Sequence, residues 1–306
     1  MKRFLTLVTA LIIMISAFAS CGKKSDVAFT VDGIAVKNGV YNYYYDEAKK
    51  QNASDEKSAE IALQKCREFA ATQILLKENN LSVRAYFTRK TAEDTESLWS
   101  MFSEHYENAG ITKSDINAVT FNEYSKKELL HYYYGTNGKK PVSVSDLKEE
   151  FVDLYVGFKA IEGSLLKENN MGETVSLSEK ETEALEKKFS SMASQINNKT
   201  ATIDELNESY NTSLGLIVTD TLPIILAKKD DGLYEESFFE KVMDIPHGFA
   251  RVVKSGTSIY VVERAVIATS DEDAFSQYSE EVLEFMKMDN IDGIIRKRAE
   301  KCKVEY

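Results

Sequence analysis

Hydrophobic and polar positions change their rhythm three times along the chain. From Phe4 to Phe18 the residues are mostly apolar, behind Lys2 and Arg3 and ahead of Ala19-Ser20-Cys21. At 15 residues the run is short of the ~20 needed to cross a bilayer and suits the apolar stretch of a secretory signal. Next, Ala28-Phe29-Thr30-Val31 and Ile34-Ala35-Val36 flank Asp32-Gly33, a two-residue hairpin signal. Helical spacing then takes over. Ala59, Leu63, Cys66, Ala70 and Ile74 recur at steps of four, three, four and four, and Asn79-Asn80 suits the end of that helix. Leu98, Met101, Phe102 and His105 predict a second apolar stripe, stopped near Gly110. Thr112 with Asp115 predicts the capped start of a helix that ends near Gly135.

Gly135-Thr136-Asn137-Gly138-Lys139-Lys140-Pro141 reads as a linker. Beyond it, Ser145 is the expected cap of a helix from Asp146 to about Tyr155, and a strand is expected from about Val156 to Leu166. Ser178 with Glu181 forms a capping box ahead of the stripe Leu185, Phe189, Met192 and Ile196. Thr202 with Glu205 opens a shorter helix. Leu216 to Leu226 reads as strand, Glu235 to Met243 as helix, and Phe249–Val253 and Ser258–Val262 as a hairpin around Ser255-Gly256. The order β-α-α-β-α-β-β predicts an α+β module. Phe275, Tyr278, Val282 and Phe285 then mark a closing helix whose apolar stripe needs the N-terminal helices as a partner, and Cys302 to Tyr306 suits an edge strand.

Composition narrows the function. Without residues 1–20 the chain has 36 basic and 49 acidic residues, a net charge of −13, which argues against a nucleic-acid partner. The 43% hydrophobic content allows a sizeable core, and three prolines suit a helical protein. Cys66 and Cys302 are expected to be buried apolar thiols, with a bridge between them as the alternative. The histidines His105, His131 and His247 have no zinc-ligand spacing, and no Gly-rich phosphate loop or G-x-S-x-G is present. Asp271-Glu272-Asp273 lacks the twelve-residue calcium loop pattern. The adjacent tyrosines Tyr43, Tyr44 and Tyr45, and Tyr132 to Tyr134, point to different sides of their helices, so some must be partly exposed.

Two resemblances give these readings a direction. Ala19-Ser20-Cys21 resembles a bacterial lipobox, with Phe18 where Leu is usual, which implies a Cys21 that is lipidated and becomes the first mature residue. The order of the lipoprotein signal, the VDGIAV hairpin, ENAGITKSDI, KKPVSVSDLKEEFVDLY, an α+β module and a closing helix resembles the PrsA/SurA-like foldases. These are extracytoplasmic chaperones with an inserted parvulin-type prolyl isomerase domain. The stretch from Phe238 to Val262 is similar to the end of a parvulin domain. Phe238 matches the helix Phe, Ile245 and Gly248 the turn, and Gly256 to Tyr260 the final strand.

Ser258 then stands at the family's active-site His. The region Phe158 to Leu166 lacks the second His, and Ser213-Leu214-Gly215-Leu216 stands near the place of the Gly-Gly-x-Leu-Gly segment. The resemblance therefore implies an α+β fold: a signal peptide at 1–20, a helical domain at 21–141, a parvulin-like domain at 142–268 and a helix at 269–306 that packs back on the first domain. It implies a membrane-anchored chaperone for unfolded secreted polypeptides, with a degenerate cleft at Phe238 and Ser258, no catalytic residue, no cofactor and no metal. Lowering the ~20 kcal/mol barrier of the peptide bond needs a shaped, desolvated cleft, and Ser258 cannot reproduce an imidazole pair. An active isomerase and an adaptor with one fixed partner are the alternatives.

Overall fold

The computed structural model of the 306-residue chain describes residues 26–51, 53–217, 221–228, 232, 234–267 and 272–306. The signal segment 1–20 and Cys21 lie outside the described residues. The chain is α+β and forms two compact units. Of the described residues, those up to Val142 form one together with Leu283–Tyr306, and those of Ser143–Val282 form the other.

The first unit opens with the antiparallel hairpin β1 (Val27–Val31) and β2 (Ile34–Lys37). Its turn places Asp32 at φ 46° and Gly33 at φ 81°, the left-handed region that an Asp-Gly pair tolerates. Four helices follow: α1 (Asn38–Lys50), α2 (Asp55–Glu78), α3 (Ala85–Asn108) and α4 (Lys113–Tyr134). The α4 capping box predicted at Thr112 and Asp115 is present, with Thr112 N–H donating to Asp115 Oδ2 at 2.9 Å and Asp115 N–H to Thr112 Oγ1 at 3.3 Å.

A last short strand returns from the far end of the chain. After helix α9 (Glu272–Ala299), β9 (Val304–Glu305) pairs with β1 to give the order β2-β1-β9. The turn residue Asp32 holds this strand: its N–H donates to Lys303 O at 3.0 Å, and Lys303 N–H donates to its Oδ1 at 2.8 Å. Arg298 ties the same turn to α2, lying 3.2 Å from Asp32 Oδ2 and 3.0 Å from Glu78 Oε1. Phe29, Val31, Val36, Val40, Ala62, Cys66, Ala70, Val119 and Cys302 share one core. Cys66 and Cys302 are free and buried, and desolvation pushes the Cys66 thiol well up.

In the second unit α5 (Val144–Leu154) leads into the long strand β3 (Tyr155–Ser164), then the small hairpin β4 (Leu166–Glu168) and β5 (Thr174–Ser176). Helices α6 (Glu179–Asn197) and α7 (Ile203–Ser213) open on the predicted boxes Ser178/Glu181 and Thr202/Glu205. Strand β6 (Ile225–Lys228), helix α8 (Glu236–Met243) and the hairpin β7 (Ala250–Ser255) and β8 (Ser258–Ala265) complete it. The sheet order is β6-β3-β8-β7, antiparallel throughout. Because side chains alternate along a strand, both faces are apolar. Ile161, Ile259 and Val261 pack on α6 and α7 through Phe189, Met192, Ile196 and Leu206. Val156, Phe158, Val253 and Val262 pack on α8 through Phe238 and Val242.

Four local expectations change. The α5 cap is Ser143, whose Oγ accepts from Asp146 N–H at 3.0 Å, rather than Ser145. Among the described residues of the strand expected over Leu216 to Leu226, the ladder with β3 begins at Ile225 and runs on to Lys228, while 218–220 lie outside the described residues. In α3 the stripe Leu98, Met101, Phe102 and His105 is not the buried face; Met101 is 62% and Phe102 47% exposed. The helix instead buries Phe87, Thr91, Thr95 and Tyr106, because Thr91 and Thr95 satisfy their hydroxyls on carbonyls one turn back, at 2.9 and 2.6 Å. Phe285, expected to extend the α9 stripe, is 66% exposed.

Helices α1 and α4 cross at a point where only glycine fits. A Cβ on Gly39 would run into the Asp115 carboxylate, the same group that caps α4. Gly39→Ala should cost about 1–3 kcal/mol through overpacking and loss of the cap. Urea unfolding followed by circular dichroism checks this, and an unchanged midpoint would contradict the packing described.

Candidate functional site

Helices α1, α2 and α4 enclose a groove of about 250 Å³ in the helical unit. Its floor is apolar: Ala48, Phe69 and Val119 are buried there. Sequence spacing explains the wall. Tyr44 and Ala48 lie one helical turn apart on α1, as do Val119 and Asn122 on α4, so each pair shares a face. The charges on the rim are paired locally, Lys65 with Glu68 at 2.9 Å and Lys126 with Glu123 at 2.9 Å.

Three polar side chains, Tyr43, Tyr44 and Asn122, also line the groove. Asn122 is 1% exposed; its Oδ1 accepts from Gln73 Nε2 at 2.9 Å, which leaves its Nδ2 unpartnered. The Tyr43 and Tyr44 rings meet edge to face at 5.5 Å, and their hydroxyls have no hydrogen-bond partner among the described residues. Burial pushes the Tyr43 phenol up to about 12 and the Tyr44 phenol well above the usual range, so both keep their proton at any physiological pH.

The residues singled out in the sequence, Phe238 and Ser258, lie on the α8 face of the other unit's sheet. Phe238 is 1% exposed. Its ring stacks on Tyr234 at 4.6 Å and meets Phe158 and Tyr260 edge to face at 5.7 and 5.3 Å. Ser258 Oγ donates to Glu162 Oε1 at 2.6 Å, and Tyr260 Oη donates to the same oxygen at 3.1 Å. Tyr260 therefore touches both. Glu162 was not apparent from the sequence, because its proximity to Ser258 depends on the β3–β8 register that sets Glu162 opposite Tyr260. Asn122 was likewise missed: nothing in its neighbourhood marks it until three helices meet around it. The tyrosine run at 43 to 45 was the visible signal.

A second cavity, about 530 Å³, is polar and lies where the α6–α7 loop meets the sheet. Lys159 pairs with Asp204 across it at 2.8 Å, and burial raises the Glu263 carboxyl beside them. Among the described residues no group of His, Cys, Asp and Glu could hold a metal ion, and no helix is long and apolar enough to cross a membrane.

The chain is similar along nearly its whole length to solved structures of PrsA- and SurA-like foldase chaperones. Foldase protein PrsA from Streptococcus pneumoniae is 13% identical, with 90% of this chain and 92% of that chain covered and a TM-score of 0.40. PrsA from Lactococcus lactis is 11% identical, with 92% and 94% covered and a TM-score of 0.39. A structure of the SurA-like chaperones PEB4 and Cj1289 from Campylobacter jejuni is 10% identical, with 92% and 99% covered and a TM-score of 0.32. No protein-family model matches the chain, and no curated protein matches it.

The packing around Phe238 predicts a structural role. Phe238→Ala should destabilise its unit by about 3–5 kcal/mol, the cost of an emptied aromatic site in a core. Chemical denaturation of the full chain measures it. Unaltered stability would instead mark Phe238 as a surface for ligands.

Proposed function

We propose that the protein is an extracytoplasmic chaperone, anchored to the membrane through a lipid on Cys21, that shields apolar segments of secreted polypeptides while they fold. One observation carries the reading: the helical unit has a groove with an apolar floor of Ala48, Phe69 and Val119, whose lining charges pair locally as Lys65 with Glu68 and Lys126 with Glu123. Such a surface suits weak, broad binding, since apolar contacts adapt to many sequences while fixed charges would select among them. The sequence resemblance to PrsA/SurA-like foldases, Cys21 included, supports the same reading. A holdase for emerging chains belongs where they leave the membrane.

Prolyl isomerisation is expected to be slight. Ser258 stands where the parvulin pattern has a histidine, and it is engaged by the exposed carboxylate of Glu162 rather than by a second imidazole. A hydrated carboxylate does not provide the desolvated cleft that lowering the amide barrier requires. The purified full chain should suppress aggregation of a chemically unfolded secreted protein in a dose-dependent way, and leave the cis-trans rate of a Xaa-Pro tetrapeptide near its uncatalysed value. Failure to suppress aggregation would overturn the chaperone reading, and parvulin-like turnover would overturn the second part.

The anchor has its own test. Cys21→Ala should move the protein from the membrane fraction to the soluble fraction of fractionated cells; retention in the membrane would remove Cys21 from the account.

A further inference from the structure

The polar cavity of about 530 Å³ opens where one face of the four-stranded sheet changes character. On the side covered by α6 and α7, Ile161 of β3 stands opposite Val261 of β8, and the next pair on that face is Lys159 opposite Glu263. The α6–α7 loop and the first turn of α7 supply the facing wall, with Lys199, Asp204 and Glu205 among its residues. Charged side chains from two strands, a loop and a helix therefore line one space.

Three of these five charges are committed within the protein. Lys159 pairs with Asp204 at 2.8 Å, and Asp204 also accepts from Leu222 N–H at 2.9 Å. Glu205 accepts from Thr202 N–H at 2.8 Å and so completes the α7 capping box. Glu263 and Lys199 are left. Glu263 is half-buried, yet it has no hydrogen bond or ion pair among the described residues, although Lys159 stands directly across the ladder. Burial raises its carboxyl against the pull of Lys199 and Lys159. Lys199 gives one hydrogen bond, to Gly248 O at 2.8 Å, and keeps two further N–H donors.

The backbone at Lys199 is also unusual. Its φ of 58° is left-handed, and it occupies the position just past α6 where helices most often place glycine. Lys199 N–H donates to Ile196 O and Thr200 N–H to Gln195 O, both at 3.0 Å, which are the two bonds of a Schellman turn. A side chain is disfavoured there, and this one carries one of the two uncommitted charges of the cavity.

From this we infer that the cavity binds a small zwitterion, its ammonium on Glu263, its carboxylate on Lys199 and its carbon skeleton against Ile196, Ala201 and Ile203. The inference does not depend on the chaperone reading. Its volume lies within the ~300–1,000 Å³ of sites that enclose a small molecule. Glu263 and Lys199 have opposite sign, sit on different elements and make no ion pair with each other, so a ligand with one charge of each sign complements both. An organic cation alone would meet Lys159 and Lys199 with like charge. An anion alone would meet Asp204, Glu205 and Glu263. Both contacts are charge-assisted, the stronger class of hydrogen bond.

Isothermal titration calorimetry of the full chain at pH 7 and low salt tests this. Glycine, 4-aminobutyrate and 6-aminohexanoate differ in the distance between their charges; butylamine and butyrate carry one charge each. At least one zwitterion is expected to bind at least about tenfold more tightly than butylamine or butyrate. Glu263→Gln keeps the shape of the side chain and removes its charge. Lys199→Gly removes the ammonium and relieves the left-handed backbone, so its melting temperature should equal or exceed that of the wild type. Each variant is expected to weaken the bound zwitterion at least about tenfold with no fall in melting temperature, a separation that a purely structural role would not produce.

An absence of binding by all three zwitterions would overturn the inference. So would butylamine or butyrate binding as tightly as the best zwitterion, or an affinity unchanged in either folded variant.

Discussion

The helical unit depends on one close approach. Helix α1 can lie against the start of α4 only because residue 39 is glycine, since any side chain there would occupy the space of the Asp115 carboxylate. That carboxylate is already committed to Thr112, accepting from its N–H at 2.9 Å and its hydroxyl at 2.6 Å. The first turn of α4 is thus both capped and pinned to α1 by one side chain. Beyond this fixed crossing α1 lends the groove Tyr43 and Tyr44, α4 lends it Val119 and Asn122, and α2 closes the third side with Phe69. The groove follows from where the helices touch.

The ends of the chain secure that arrangement. Strand β9 completes the sheet begun by β1, and Asp32 and Arg298 link turn, strand and helix across more than 260 residues of sequence. Closing so long a loop costs entropy, which the shared core of Phe29, Val31, Cys66 and Cys302 offsets by burying apolar surface. The other unit uses a different economy: a four-stranded sheet apolar on both faces, with α6 and α7 on one side and α8 on the other. Its α8 face is filled by its own aromatic rings around Phe238, so the polar cluster of Ser258, Glu162 and Tyr260 lies beside a packed core and in contact with water.

Much of this was legible in the sequence where a local rule suffices. The Asp32-Gly33 turn, the three capping boxes and the hairpin about Gly256 each follow from a few adjacent residues, and each is found. Readings failed where a distant partner decides. The Met101 and Phe102 stripe looked buried by spacing alone, but Thr91 and Thr95 make a buried face by bonding to their own helix. Leu216 to Leu226 has strand-like composition, and among its described residues a neighbouring strand is found from Ile225, in the ladder Ile225–Lys228. The candidate site was half visible: the tyrosine run signalled partly exposed rings, whereas Asn122 gains its meaning from Gln73, 49 positions away.

On the proposed function, clients are held in the groove of the helical unit and not on exposed apolar side chains at large. Site-specific photocrosslinking tests it. A benzophenone side chain replaces Lys126 on the groove rim, or Phe102 on the open face of α3, and the full chain is irradiated with a mixture of unfolded secreted proteins. A ladder of many adducts is expected from position 126 and few from position 102. Equal labelling from both positions, or a single adduct from position 126, would contradict it.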